Sequence, residues 1–147
     1  MPIQIRQANH SDLPAIHSLV AELASYVGES HKFTATIETY EKDFEAGFFK
    51  AIVAEDEGKV IGMALYYFVY STWEGRMIYL EDFVLDPAYR RQGIGQRLWD
   101  VLLERGREKG CVLLKWQVAV SNTNAMKFYE QQKATIDNSW VNGMLQL

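Results

Sequence analysis

Arg90-Arg91-Gln92-Gly93-Ile94-Gly95 is the stretch that decides how this chain is read. The apolar run Met77 to Leu85 before it predicts a strand. Gln96 to Lys109 after it has the spacing of an amphipathic helix. A strand, a Gly-containing turn and a helix N-terminus together form an anion site. The turn's amides and the unpaired N–H groups of the first helical turn converge on one point. Gly93 and Gly95 let the backbone approach a pyrophosphate without a Cβ in the way. The arrangement points to a phosphate-bearing cofactor and hence to an enzyme. It is not a Walker A loop, because no Gly-Lys-Ser/Thr follows, and it lacks the third Gly of the dinucleotide fingerprint.

Around this turn the chain reads as alternating strands and helices. Ile3 to Ala8 alternates apolar and polar and predicts a first strand. Ser11 is the expected cap of a helix whose stripe is Ile16, Leu19, Val20 and Leu23. Thr36 to Phe48 predicts a second helix with Ile37, Tyr40, Phe44 and Phe48 inward. Ala51 to Glu55 and Val60 to Tyr70 predict a hairpin joined near Glu57-Gly58. Asp86-Pro87 ends the next strand. The central helix turns Ile94, Leu98, Val101, Leu102 and Arg105 to one side and stops at Lys109-Gly110. Val112 to Val120 predicts a strand, Asn122 caps a short helix to about Gln131, and Trp140 to Leu147 predicts a last strand. The expected order is β-α-α-β-β-β-α-β-α-β, a mixed α/β sheet.

A length of 147 residues suits a single domain, and 48% hydrophobic with 23% charged residues is ordinary for a soluble globular protein. No stretch approaches the apolar length of a membrane span, and Met-Pro-Ile-Gln-Ile-Arg has no signal region, so the expected location is cytoplasmic. The lone Cys111 excludes an intrachain disulfide and a Cys-rich zinc site. His10, His17 and His31 have no metal-like spacing. A net charge of −4 argues against a nucleic-acid partner and is compatible with a cationic small substrate.

A second motif lies downstream, Asn122-x-x-Ala125-x-x-Phe128-Tyr129. Asn122, Ala125 and Tyr129 share one helical face at offsets 0, +3 and +7. With the glycine turn, this pair of motifs resembles the GNAT acetyltransferase superfamily. Tyr79-Leu80-Glu81-Asp82-Phe83-Val84, Tyr89-Arg90 and Met63-Ala-Leu-Tyr66-Tyr67-Phe68-x-Tyr70-x-x-Trp73 resemble its spermidine/spermine (diamine) acetyltransferase subgroup. The resemblance spans nearly the whole chain, most closely from Val60 to Tyr129.

The resemblance implies the GNAT acyl-CoA N-acyltransferase fold as one domain over residues 1–147, and acetyl-CoA as cofactor. The pyrophosphate would lie on the amides of Arg91, Gln92, Gly93, Ile94, Gly95 and Gln96, with Arg90 and Arg91 offsetting its charge. A bulge in the preceding strand would free backbone groups of Phe83, Val84 and Leu85 for the pantetheine arm. Asn122 and Ala125 would flank the cofactor. Tyr129 is the implied general acid, a phenol protonated at neutral pH beside the departing thiolate. Glu81 is the implied base, acting through water on an ammonium that cannot attack until it loses a proton. Simple strand alternation puts Glu81 and Asp82 on opposite faces. Tyr26, Trp73, Trp116 and Trp140 can form aromatic walls around a cationic chain, and Lys115, Trp116 and Gln117 fall where relatives line the amine channel. For each aromatic, core or interface packing is an equal alternative.

Departures from the family bear on the substrate. Lys133 stands where Gly is usual, and Ser71 and Val120-Ser121 replace acidic positions. Fewer carboxylates weigh against long polyamines and admit a shorter amine or a lysine-like amino acid such as thialysine. The expected activity is acetyl transfer to a small primary amine by direct attack in a ternary complex, in a homodimer. Two rivals are acetylation of a protein N-terminus or lysine, and a non-catalytic CoA-binding module. Retention of Tyr129 and Glu81 speaks against the second.

Overall fold

The computed structural model describes residues 2–147. The chain forms two compact units, one ending at Gln117 and one running from Val118 to Leu147. The first holds β1 (Gln4–Gln7), α1 (Leu13–Tyr26), α2 (Ile37–Glu45), β2 (Lys50–Asp56), β3 (Lys59–Ser71), β4 (Gly75–Leu85), α3 (Ile94–Glu108) and β5 (Leu113–Trp116). The second holds α4 (Thr123–Gln131). The sheet runs β1-β2-β3-β4-β5 and is antiparallel except for the parallel pair β4–β5.

Both faces of this sheet are covered, so its middle strands are apolar without alternation. Ala51, Ile52, Val53 and Ala54 of β2 are all buried. On one face, Leu13, Ile16 and Leu19 of α1 pack with Ala51, Val53, Met63 and Leu65, and Tyr40, Phe44, Phe49 and Val84 close the cluster. On the other face lies α3. Its Gly106 lets the helix approach closely, since a Cβ there would meet Ile78 Cγ2 at 3.1 Å. Trp99 of α3 meets Phe83, with ring centres 6.0 Å apart.

The start of α1 is fixed by Asn9 rather than Ser11. Asn9 accepts from the Ser11 amide, and the Asp12 carboxylate accepts from the Asn9 amide, a capping box on the short 3-10 turn before α1. Asp12 also receives both terminal nitrogens of Arg6, at 2.8 and 2.9 Å, and Arg6 reaches Glu55 at 2.7 Å. One guanidinium thus ties β1, β2 and the entry to α1, and holds the Asp12 carboxyl below its usual range.

Three further expectations need correction. The second helix ends at Glu45, so Phe48 lies beyond it, 70% exposed, and Phe49 takes the inward place. β5 stops at Trp116, because the chain turns again where the Asn122 amide bonds the Ala119 carbonyl. Trp140 to Leu147 forms no strand, so the order within this chain is β-α-α-β-β-β-α-β-α. The segment is rich in apolar side chains, as a strand can be, but a strand persists only where another supplies its ladder.

Lys133, just past α4, sits in the left-handed region with φ 60°, where the Ala134 amide closes on the Tyr129 carbonyl. A side chain there costs roughly 1 kcal/mol that glycine avoids. Lys133→Gly is expected to raise stability by about 0.5 kcal/mol, after the greater chain entropy of unfolded glycine is set against it. Chemical denaturation of the two proteins checks this, and a loss of stability would contradict it.

Candidate active site

The glycine turn has the conformation of an anion cradle. Arg90 is extended, Arg91 is left-handed at φ 64°, and Gly93 is left-handed at φ 76° as the N-cap of α3. Glycine tolerates this freely, whereas Arg91 carries strain of the kind held at functional sites. No side chain caps α3 and no acidic residue lies in its first turn. By contrast Thr36 Oγ1 caps α2 and Asn122 Oδ1 caps α4. Arg91, Gln92, Gly93 and Gln96 are exposed, while the Ile94 side chain is buried and anchors the helix start. The turn is strapped from behind: the Tyr89 hydroxyl donates to Asp56 Oδ2 at 2.6 Å, joining it to the β2–β3 hairpin. The sequence marks Tyr89 only as part of the Tyr89-Arg90 resemblance and does not mark Asp56, because their partnership spans 33 residues.

The strand leading into this turn is open along one edge. β4 pairs with β5 only as far as Leu80 opposite Trp116, yet continues to Leu85 alongside β3. From Glu81 onward its outer edge has no β5 partner, which leaves backbone groups of Phe83, Val84 and Leu85 available to an extended ligand.

Between these two stretches lies a bulge. Leu65 faces Asp82 and Tyr66 faces Leu80, so Glu81 is the extra residue. The bulge overturns the expected alternation. Tyr67 and Tyr79 stack with ring centres 5.3 Å apart, and the Tyr67 hydroxyl donates to Glu81 Oε1 at 2.6 Å. Asp82 lies opposite Leu65, which belongs to the same core as α1. Both carboxylates act on Tyr40 of α2 and on Tyr67. Glu81 and Asp82 therefore share one face, where alternation alone would separate them. Phe83, beyond the bulge, turns to α3.

This face is acidic and half-dry. Burial, with the Glu81 charge second, pushes the Asp82 carboxyl up to about 7. Burial and the same carboxylates push Tyr40 up to about 12 and raise Tyr67, and burial with the Glu81 charge raises Tyr79. Two acids ringed by phenol rings have the chemistry to attract a cation. Tyr40, Tyr67 and Tyr79 were missed as site residues because only the shifted register brings them together.

In the second unit, Asn122 spends its carbonyl oxygen on the Ala125 amide at 3.2 Å, which leaves its NH2 group for other use. Tyr129 is 4% exposed, and burial pushes its phenol up to about 12. It is thus protonated at any physiological pH. Of the aromatic candidates, Tyr26, Trp73 and Trp140 are exposed. Trp116 meets Trp99 edge-on at 5.5 Å, on the α3 side of the sheet and not the side of Glu81. Lys115 and Gln117 are exposed at the end of β5. Among the described residues no cluster could hold a metal ion, and no helix is long and apolar enough to cross a membrane.

The Asp82 assignment has a thermodynamic signature. Its folded pKa lies above the ordinary carboxylate value, so its charge destabilises the fold. That penalty grows as pH rises from about 4 to about 7 and is complete above. Asp82→Asn should raise stability by on the order of 2 kcal/mol at pH 8 and by nothing near pH 3. Urea unfolding at the two pH values checks this; an equal effect at both would refute it.

Three comparisons bear on the family. The pattern of the Acetyltransferase (GNAT) family matches residues 13–133. Thialysine N-epsilon-acetyltransferase of Mus musculus is 36% identical over 151 residues, covering 94% of this chain and 89% of that protein. The Bos taurus protein of the same name is 38% identical over 138 residues, covering 87% and 81%. Aminoglycoside N-acetyltransferase AAC(6')-Iy, solved in complex with CoA, has a TM-score of 0.80 at 18% identity, over 99% of this chain and 96% of that one, a likeness of fold. A match that runs from the start of α1 to just past α4, with relatives alike along most of their length, establishes that the chain belongs to the acetyltransferase (GNAT) family.

Proposed function

We propose that this chain transfers acetyl from acetyl-CoA to the terminal primary amine of a small, lysine-like molecule, by direct attack in a ternary complex. The observation that carries the acceptor reading is the acidic, tyrosine-lined face made by the bulge at Glu81. The names of the Mus musculus and Bos taurus relatives support a thialysine-like amine, and the few carboxylates beyond this face weigh against a long polyamine.

The residues present fit the cofactor. An uncapped helix start, a left-handed Arg91-to-Gly93 turn and an open strand edge are what an anionic, extended ligand requires. The amides from Arg91 to Gln96 would hold the pyrophosphate, and the backbone of Phe83 to Leu85 the pantetheine arm. Asn122 and Ala125 would flank it. Acetyl-CoA supplies an acyl group as a thioester, which a neutral amine can attack. Asp82 and Glu81 draw in the ammonium, and Glu81 receives its proton through water. A backbone N–H near Phe83 or Val84 would steady the oxyanion. Tyr129 Oη keeps a proton for the departing sulfur. Residues 1–147 are read as a single catalytic domain, since the family match spans both units. Action in the cytoplasm is carried over from the sequence expectation, and action as a homodimer from the family resemblance.

Release of free CoA thiol across thialysine, lysine, putrescine, spermidine and a peptide tests the reading. Saturable turnover with a short amine is expected, and turnover of the peptide alone would reject it. Tyr129→Phe should lower kcat by about 100-fold with little change in either KM; an unchanged kcat would remove the acid role. Tyr89→Phe should raise the KM for acetyl-CoA by about tenfold while sparing acetyl-pantetheine, which has no pyrophosphate. An equal effect on both would mean that Tyr89 merely holds the fold.

A further inference from the structure

On the acidic face described above, β5 contributes a cation. Lys115 stands opposite Tyr79 in the parallel β4–β5 ladder. Opposed residues of neighbouring strands point to the same face. Tyr79 stacks on Tyr67, and Tyr67 holds Glu81. The adjacent Trp116 confirms the alternation, because it points to the α3 side against Trp99. The face therefore carries two carboxylates on β4 and one ammonium on β5. Lys115 is exposed, and it forms no ion pair or hydrogen bond among the described residues. Arg76 of β4 donates instead to the Lys109 carbonyl at the end of α3.

We propose that Lys115 reads the carboxylate of the acceptor, so that the site selects an amino acid ending in a primary amine over the corresponding bare diamine. This rests on the acetyltransferase reading above. The chemistry is charge matching in both directions. An amino acid of this kind presents an ammonium to Glu81 and Asp82 and a carboxylate to Lys115. A diamine presents a second ammonium to Lys115, and like charges repel. Specificity here combines an attraction to one substrate with a repulsion of its competitor. A lysine ammonium is a compact point charge suited to this, and needs no bidentate geometry. The usual role of an exposed lysine on a short strand is solubility. Its placement beside the carboxylate pair is what sets Lys115 apart.

The test compares kcat/KM for two matched pairs: thialysine against its decarboxylated diamine, and lysine against cadaverine. The wild-type protein should favour the amino acid in each pair. Lys115→Met should cut that preference by about tenfold or more, chiefly by raising the KM for the amino acid. Lys115→Glu should invert it, and Lys115→Arg should restore it. The KM for acetyl-CoA should stay constant throughout, which separates the effect from general damage. A preference indifferent to Lys115→Met and Lys115→Glu would overturn the assignment while leaving the acetyltransferase reading intact. A wild-type preference for the diamine would do the same. Absence of turnover with every amine would overturn both together.

Discussion

The pairing of β3 with β4 slips by one residue at Glu81, and the site depends on that slip. Below it, Ile78 and Leu80 are buried on the sheet. Above it, Phe83 meets Trp99 and Val84 joins the core of α1. The shift lets both flanks of the strand satisfy their own hydrophobic layer, while Glu81 and Asp82 fall on one face between them. The same stretch is where β4 parts from β5, so the place that gathers charge is also the place that frees backbone. The proposed acceptor contacts and the proposed cofactor contacts would both follow from one distortion.

The molecule treats its buried Asp12 and its half-buried Asp82 in opposite ways. Asp12 is held by both nitrogens of Arg6 and by the Asn9 amide, and stays ionised. It joins elements far apart in sequence and takes no part in chemistry. Asp82 has no such partner and meets a second negative charge, so it carries an energetic penalty. A charge left unsatisfied by the protein is one that a ligand can satisfy. Arg91 belongs to the same class, because its left-handed backbone opposes its own preference in order to shape the turn.

Local signals made most of the fold legible. Apolar runs, the Glu57-Gly58 turn, the Asn122 cap and the Gly110 stop each act within a few residues, and the elements they predict are present. The glycine turn was legible because Gly93 and the following helix are neighbours in the chain. What escaped was non-local. The alternation rule placed Glu81 and Asp82 apart because a bulge leaves no mark in a single strand. The sequence reads Tyr40 as inward and Tyr67 and Tyr79 only as part of the subgroup resemblance; the register is what sets all three beside the acids. Phe48 was misread because the helical period ran one turn past the true end at Glu45. Trp140 to Leu147 is apolar enough for a strand, but composition does not supply a neighbour.

Glu81 also says something about how such a site can arise. If its codon alone were removed, Leu80 and Asp82 would become consecutive, and every remaining residue of β4 would keep its face. The result would be a regular strand with an undisturbed core. The site can therefore be viewed as a one-residue insertion in an ordinary sheet, confined to the segment where it occurs. In genetic terms an in-frame loss of one triplet is a gentler event for the fold than many point changes, and a more complete one for the chemistry.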